Sequence, residues 1–374
     1  MIKRTLKPLI GEKFFKGKAI ILLGPRQVGK TTLINELLKD KEHLFLDGDD
    51  PTVRELLNGV NTIKLKQIIG KNTIVFIDEA QRINDIGITL KIITDQFKEV
   101  QLFVSGSSAL EINNKTQESL TGRKFEYNLY PISWQEFEEN VGYVAASQQL
   151  ENRLIYGMYP DVINNVADEH QILQQLTTSY LYKDVLSLTG IRKPEILEKL
   201  LRALALQLGS EVSYNELSNL LGIDKNTVVN YIDILEKSYI VFQLKSFSSN
   251  QRNEIKNNRK IYFYDNGIRN MIINNLNPIS LRMDKGALWE NFLISERIKI
   301  HSYHQRYTNY YFWRTVQKQE IDFVEEKDGK IEAYEFKWKS GGRNKIPKLF
   351  LEKYNATGTI IDIENFRDFV LYPQ

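Results

Sequence analysis

Residues Lys18–Thr32 read K-A-I-I-L-L-G-P-R-Q-V-G-K-T-T, and this stretch decides the fold of the first third of the chain. Ala19–Leu23 is an apolar run with the length of a buried parallel strand. Gly24–Thr31 fits the pattern G-x-x-x-x-G-K-S/T at every fixed position, and the amphipathic stretch Thr32–Lys39 predicts a helix. Strand, glycine-containing loop and helix in this order predict a phosphate-binding loop. The alternative is a plain glycine turn between a strand and a helix.

The residue types of this loop suit a bound nucleotide. Gly24 and Gly29 let the backbone curl so that N–H groups point at an anion, and the helix that follows adds its positive end. Lys30 is predicted to reach the β- and γ-phosphates and to take part in catalysis, and the Thr31 hydroxyl to ligate Mg²⁺. The predicted nucleotide-binding residues of the loop are Gly24, Pro25, Arg26, Gln27, Val28, Gly29, Lys30, Thr31 and Thr32.

Two carboxylates follow another apolar run, T-I-V-F-I-D-E-A at Thr73–Ala80. Because parallel strands end at one edge of a sheet, these carboxylates are expected beside the phosphate loop. Asp78 is predicted to bind the nucleotide through Mg²⁺ as a metal ligand, and Glu79 to polarise the attacking water. The alternative is an ordinary acidic strand end.

Two further side chains each have two candidate roles. The strand Val100–Val104 is followed by S-G-S-S, and Ser107 is predicted to contact the γ-phosphate or the attacking water. Its alternative role is a helix N-cap. Arg123 follows a glycine and is either an arginine finger, worth about 10³–10⁵ in rate where one exists, or half of a structural salt bridge. The sequence leaves open whether such a finger acts in cis or in trans.

Composition excludes several classes of site. The 374 residues are 42% hydrophobic and 26% charged, which is ordinary for a globular chain of two or three domains. There is no cysteine, which rules out a disulfide, a thiolate nucleophile or Cys-ligated zinc in this chain. The net charge of +3 is too small to indicate nucleic-acid binding by itself. No signal-peptide core and no apolar stretch of about 18 residues is present, so we expect a cytoplasmic protein without a membrane partner.

Further short motifs extend the pattern beyond the phosphate loop: D-E-A-Q at Asp78–Gln81, G-S-S at Gly106–Ser108, L-T-G-R at Leu120–Arg123, P-I-S-W-Q-E at Pro131–Glu136, G-M-Y-P-D-V at Gly157–Val162 and Y-L-Y-K-D at Tyr180–Asp184. With these motifs the chain resembles, over nearly its whole length, a family of bacterial and archaeal ATPases in the AAA+ and additional-strand division of phosphate-loop proteins.

The resemblance implies an α/β fold with three domains. Residues 1–145 are expected to form an AAA+-type ATPase domain with a parallel sheet and flanking helices. Residues 146–280 are expected to form a helical lid and a winged helix-turn-helix, and residues 281–374 an α/β domain like those of PD-(D/E)xK restriction nucleases. The expected cofactors are ATP and Mg²⁺.

The middle of the chain carries its own helix-turn-helix pattern. Within Ser213–Lys237, Gly222 separates two amphipathic stretches, and Ser213 and Asp224 are suited to cap the two helices. Ile240–Phe247 and Lys260–Asp265 are predicted wing strands. The start of the second helix presents residues suited to a DNA groove, namely Lys225, Asn226, Thr227 and Asn230. The alternative is that this module is a lid or a packing unit.

The tail carries the pattern D-x(n)-E-x-K on two predicted strands. Asp322 is the first acid, and Glu335 and Lys337 face one side of the second strand because they are two residues apart. Asp322 and Glu335 are predicted to hold Mg²⁺, and Lys337 to orient or deprotonate a water. Glu290, on the preceding helix, is predicted as an additional metal ligand. The alternative is that E-x-K is a solvated strand face.

These patterns lead to one preferred function and one rival. The preferred function is ATP binding and Mg²⁺-dependent hydrolysis, coupled to nucleic-acid binding or to metal-dependent DNA cleavage. The rival is a nucleotide-gated protein-interaction module whose nuclease-like tail is inactive. A small-molecule kinase is disfavoured by the long middle and tail. The expected partners are ATP, double-stranded DNA or another nucleic acid, a protein partner, and a second copy of the chain in a homo-oligomer.

Overall fold

The structure is a computed structural model that describes residues 2–107, 120–178, 194–248, 259–315, 317–339 and 346–372. The chain divides into two compact units: Met1–Pro131 with Lys237–Tyr239, and Ile132–Glu236 with Ile240–Gln374. None of the described helices has both the length and the apolar character that crossing a bilayer requires.

The first unit is built on a five-stranded sheet in the order β2-β3-β4-β1-β5, and all neighbouring strands are parallel. The strands are β1 Ala19–Leu23, β2 Leu44–Asp47, β3 Ile74–Asp78, β4 Gln101–Gly106 and β5 Lys124–Asn128. The described helices are α1 Leu6–Gly11, α2 Lys30–Leu37, α3 Pro51–Leu57, α4 Thr62–Ile69 and α5 Ile86–Gln96, and a 3₁₀ turn spans Ala80–Arg82.

Burial of the central strands explains their composition. Every residue of β1, β3 and β4 is buried, which fits a continuous apolar run such as β1 and the apolar centres of β3 and β4, whereas an alternating pattern would leave one face exposed. Strand β4 pairs with β1 on one side and β3 on the other. The loop after β1 and the carboxylates after β3 therefore lie at the same edge, with β4 between them.

The second unit contains a seven-stranded sheet in the order β12-β11-β10-β9-β7-β8-β6. Its strands are β6 Glu211–Val212, β7 Val241–Ser246, β8 Arg259–Phe263, β9 Asn309–Arg314, β10 Glu320–Lys327, β11 Lys330–Phe336 and β12 Thr357–Ile361. The described helices are α6 Trp134–Val141, α7 Tyr143–Tyr156, α8 Pro160–Asn164, α9 Glu169–Leu176, α10 Pro194–Leu206, α11 Tyr214–Leu221, α12 Lys225–Lys237, α13 Asn266–Ile272, α14 Lys285–Tyr303, α15 Lys348–Tyr354 and α16 Phe366–Val370, and a 3₁₀ turn spans Ile279–Leu281.

The elements expected for the middle of the chain are present in the predicted order. Ser213 caps α11, and Gly222 ends it in the left-handed conformation that favours glycine. Strands β7 and β8 form an antiparallel pair on either side of residues outside the described ranges, and β6 pairs with β8. The predicted Tyr180–Asp184 motif also lies outside the described residues.

One sheet joins the middle and the tail. Strand β7 pairs in parallel with β9, with Lys245 opposite Tyr311 and Ser246 opposite Phe312. The tail itself contributes the antiparallel strands β9, β10 and β11 and the parallel partner β12. The predicted boundary at residue 280 therefore lies within one compact unit, between two segments that share a continuous sheet.

Two of the short motifs serve the fold of the second unit. In P-I-S-W-Q-E, Ser133 and Glu136 form a reciprocal capping box at the start of α6. In G-M-Y-P-D-V, Gly157 has a positive φ, and a Cβ there would lie 2.1 Å from a carboxylate oxygen of Asp265. The same carboxylate accepts a hydrogen bond from the Met158 N–H at 2.7 Å. A side chain at position 157 would break this contact.

Candidate functional site

The backbone of the loop after β1 adopts the conformation that its glycines predict. Gly24 has φ 151° and Gly29 has φ 92°, and Gln27 between them also has a positive φ of 61°. A Cβ on Gly24 would lie 2.0 Å from the carbonyl oxygen of Leu129, so no other residue fits there. Gly29 precedes α2 and faces open space. The loop therefore leaves room for an anion at the start of this helix.

Lys30 lies under the loop with its ammonium group turned inward. The residue is 5% exposed, and Nζ donates to the carbonyls of Gly24 at 2.9 Å and Pro25 at 2.8 Å. Burial lowers the pKa of Lys30 to about 8, against the opposing attraction of Glu79 and Asp78. Loop carbonyls thus hold the ammonium where the loop motif places a phosphate.

Thr31 and Asp78 form the oxygen pair that a magnesium ion needs. The Thr31 hydroxyl donates to Asp78 Oδ2 at 2.7 Å, and the buried Ser105 hydroxyl donates to Oδ1. Gly48 lies against the end of this strand, and a Cβ there would lie 2.9 Å from the Asp78 carbonyl oxygen. Hard oxygen ligands of this kind fit Mg²⁺, which takes one or two protein ligands beside phosphate and water.

Glu79 is held by two side chains from the same edge of the sheet. Its carboxylate accepts hydrogen bonds from the Gln81 amide and, at 3.4 Å, from the Ser107 hydroxyl. The Gln81 amide also donates to Ser107 at 2.9 Å. Ser107 therefore lies beside Glu79, and its predicted contact with the γ-phosphate or the attacking water stays a prediction. No sequence pattern assigned Gln81 its role in fixing both side chains. Ser108, the next residue of that motif, lies outside the described range.

Arg4 supports the loop from the start of the chain, a contact that the sequence did not predict. Its guanidinium is 9% exposed and donates to the carbonyl of Val28 at 2.7 Å and to that of Tyr130 at 2.6 Å. These partners are 24 and 126 residues away, and no local pattern signals such contacts. A charged donor on a buried carbonyl fixes the loop backbone.

Arg123 forms a salt bridge, which is one of its two predicted roles. Its Nε donates to Asp95 Oδ1 at 2.6 Å, on helix α5. Both side chains are partly exposed, at 42% and 31%. An exposed pair of this kind contributes about 0–1 kcal/mol to stability.

The acids predicted in the tail include one adjacent pair. Asp322 Oδ2 accepts the Phe336 N–H at 2.9 Å, next to Glu335. Burial, together with the neighbouring Asp322 carboxylate, raises the pKa of Glu335 to about 7. Lys337 Nζ donates to Glu335 Oε2 at 3.2 Å. The structure thus brings together Asp322, Glu335 and Lys337.

Glu290 lies beside the ammonium group of Lys260, a contact that no sequence pattern predicted. Lys260 Nζ is 3.3 Å from Glu290 Oε1 and 2.6 Å from Glu320 Oε1, and the Tyr262 hydroxyl donates to the same Glu290 oxygen. Burial lowers the pKa of Lys260, but Glu290, Glu320 and Asp322 outweigh it and raise that pKa overall. Within the described ranges, no group of three or more His, Cys, Asp and Glu side chains is arranged to hold a metal ion.

The helix-turn-helix presents part of its predicted surface. Lys225, Asn226 and Asn230 are exposed on α12. Asp224 caps this helix as predicted, since its Oδ1 accepts the Thr227 N–H at 2.9 Å and its Oδ2 accepts the Thr227 hydroxyl. Both the N–H and the hydroxyl of Thr227 therefore form hydrogen bonds within the turn.

Comparison with known proteins identifies the domain that holds the loop. Residues 16–138 match an AAA domain. Together with the loop geometry, this match supports ATP binding and ATPase function. It confirms the prediction of a phosphate-loop ATPase domain, which is the part of the predicted architecture that holds the loop. Residues 147–278 and 285–374 match two domains of unknown function, DUF8612 and DUF4143.

The chain is also similar to several whole proteins. An uncharacterised protein of Mycobacterium tuberculosis is 25% identical over 364 residues, covering 96% of this chain and 77% of the relative. An uncharacterised protein of Methanocaldococcus jannaschii is 24% identical over 310 residues, covering 76% and 67%. Among solved structures, a Walker-type ATPase of Pyrococcus abyssi has 15% identity and a TM-score of 0.47, covering 73% of this chain and 96% of that one.

Proposed function

We propose that the chain hydrolyses ATP to ADP and phosphate with Mg²⁺ at the loop after β1. The observation that carries this proposal is the convergence of four side chains at one edge of the parallel sheet. They are the buried Lys30, the hydrogen-bonded pair Thr31 and Asp78, and Glu79 beside them.

Each of these residues has a defined task in the proposed reaction. Lys30 exchanges the carbonyls of Gly24 and Pro25 for phosphate oxygens. Thr31 and Asp78 would hold Mg²⁺, which neutralises charge on the β- and γ-phosphates when it is bound. Glu79 orients the attacking water and accepts its proton as ADP leaves.

Phosphate release from ATP, measured with and without Mg²⁺, tests this proposal. Lys30→Ala is expected to lose ATP binding, whereas Glu79→Gln is expected to keep ATP binding and lose about 10²–10⁴ in kcat, the range of a general base. Glu99→Gln, an exposed glutamate of the same unit, is the matched control and should hydrolyse ATP at the wild-type rate. Undiminished ATP binding by Lys30→Ala would show that nucleotide binds elsewhere.

We further propose that α11, α12 and the β7–β8 hairpin form a winged helix and that the tail cleaves DNA with a divalent metal ion. The order β6, α11, α12, β7, β8 supports the first part, and exposed Lys225, Asn226 and Asn230 are suited to contact DNA. The pairing of Asp322 with Glu335, and of Glu335 with Lys337, supports the second part.

Incubation of the purified chain with linear, single-stranded and circular DNA tests the tail. Cleavage is expected with Mg²⁺ or Mn²⁺ and is expected to disappear in Asp322→Ala, while Glu352→Gln, an exposed acid on α15, keeps it. Cleavage that survives Asp322→Ala would place the reaction elsewhere. Intact ATP hydrolysis without cleavage of any DNA would favour the rival function, a nucleotide-gated module that binds a protein partner or a second copy of the chain.

A further inference from the structure

Lys260 is a buried cation beside the acidic cluster of the second unit, which consists of Glu290, Glu320, Asp322 and Glu335. Its side chain is 2% exposed, and its ammonium lies between Glu290 of helix α14 and Glu320 of strand β10. The Tyr262 hydroxyl, two residues further on the same strand, donates to the Glu290 oxygen that also faces Lys260. The ring of Phe312 lies 5.5 Å from the ammonium and covers it on another side.

We propose that the Lys260 ammonium takes the place of a metal ion beside Glu290, so that Glu290 is a counter-ion of Lys260 and not a metal ligand. This assignment refines the tail reaction proposed above. Asp322 and Glu335 remain the acid pair that we propose binds the divalent cation.

The contacts at Glu290 explain why a metal ion is excluded there. Glu290 Oε1 already has two neighbours: the positively charged Lys260 Nζ at 3.3 Å and the Tyr262 hydroxyl, which donates a hydrogen bond to it. A divalent cation on this oxygen would approach the Lys260 ammonium closely, and like charges in a buried site repel strongly.

The ion pair also has a structural consequence. Lys260 comes from the hairpin of the middle segment, whereas Glu290 and Glu320 come from the tail, 30 and 60 residues further along the chain. The ammonium therefore ties the two segments together. Removal of one partner of a buried pair leaves the other charge uncompensated, which destabilises the unit that contains both.

Manganese binding to the full-length, nucleotide-free chain tests the assignment. All variants carry Asp78→Asn, so that the nucleotide site contributes no carboxylate ligand for a metal ion, and bound Mn²⁺ is counted by electron paramagnetic resonance. Glu290→Gln is expected to change the Kd for Mn²⁺ less than twofold, and Asp322→Asn to weaken it at least tenfold. Lys260→Met is expected to gain a second bound Mn²⁺, and Glu290→Gln in that background to remove it.

Thermal unfolding in EDTA gives a readout that needs no metal and no cleavage. As the counter-ion of Lys260, Glu290 should stabilise the metal-free chain, so Glu290→Gln is expected to lower Tm by roughly 6–20 °C. If repulsion between Glu290 and Asp322 outweighed the attraction of Lys260, loss of one acid would instead raise Tm. An equal or higher Tm in EDTA overturns the proposal, as does a loss of Mn²⁺ binding in Glu290→Gln that matches Asp322→Asn. A chain that binds no Mn²⁺ in wild-type form contradicts the proposed cleavage but leaves the EDTA result decisive for Lys260.

Discussion

ATP binding should weaken as the pH rises above about 8, because the buried Lys30 loses its proton in the nucleotide-free chain. Burial lowers the pKa of Lys30 to about 8. A phosphate group at the loop replaces two carbonyl partners with negative charge, which raises that pKa in the complex. Binding therefore takes up a proton, so affinity is highest well below pH 8 and falls as the pH rises through about 8.

The magnitude follows from this pKa. With a free-state pKa of about 8 and a much higher pKa in the complex, Kd increases by the factor 1 + 10^(pH − 8), or about eightfold between about pH 7.5 and 9. At about pH 8.5 binding should take up about three quarters of a proton, since only about a quarter of the free chains still carry it. An eightfold change in Kd corresponds to about 1.2 kcal/mol.

Isothermal titration calorimetry in two buffers of different ionisation enthalpy measures both quantities. Lys30→Arg is the matched control, because an arginine stays charged throughout this range and its Kd should not change with pH. A wild-type Kd that is constant from about pH 7.5 to 9, or an equal pH dependence in Lys30→Arg, would refute the assignment of the titration to Lys30.

The remaining predictions concern residues around the loop. Arg4→Ala should lower the free energy of unfolding of the first unit by about 2–4 kcal/mol, because two buried carbonyls, that of Val28 among them, lose a charged donor; denaturant unfolding measures this, and a loss below about 1 kcal/mol contradicts it. Gly24→Ala should abolish ATP binding in the calorimeter, since its Cβ meets a backbone oxygen at 2.0 Å; measurable affinity would mean that the loop can shift. Arg123→Ala and Asp95→Ala should each cost less than about 1 kcal/mol in thermal unfolding and change kcat by less than about threefold, whereas a loss of 10³ in kcat from Arg123→Ala alone would identify an arginine finger.

Several features of the nucleotide site follow from short patterns in the sequence. Strand β1 spans Ala19–Leu23 as predicted, and the glycines at positions 24 and 29 have the positive φ values that the loop motif requires. Asp78 and Glu79 also lie at the end of β3 as predicted. These predictions succeed because a buried parallel strand and a glycine loop are defined by neighbouring residues.

Other functional contacts depend on residues far apart in the chain. Arg4 meets the carbonyl of Val28 across 24 residues, and Lys260 meets Glu320 across 60. The sequence pattern shows Lys260 as one basic residue of a predicted wing strand, and nothing local marks it as part of the acidic cluster. The pairing of β7 with β9 likewise depends on long-range contacts, since strand order within a sheet is not set by neighbouring residues.

The sequence by itself determined the phosphate loop, the carboxylates at the end of β3 and the E-x-K pattern of the tail, because each depends on the period and chemistry of a few consecutive residues. The tertiary structure decided which charges meet. It paired Arg123 with Asp95 and Glu290 with Lys260, because an ion pair forms only where packing brings two elements within reach and excludes water from between their charges.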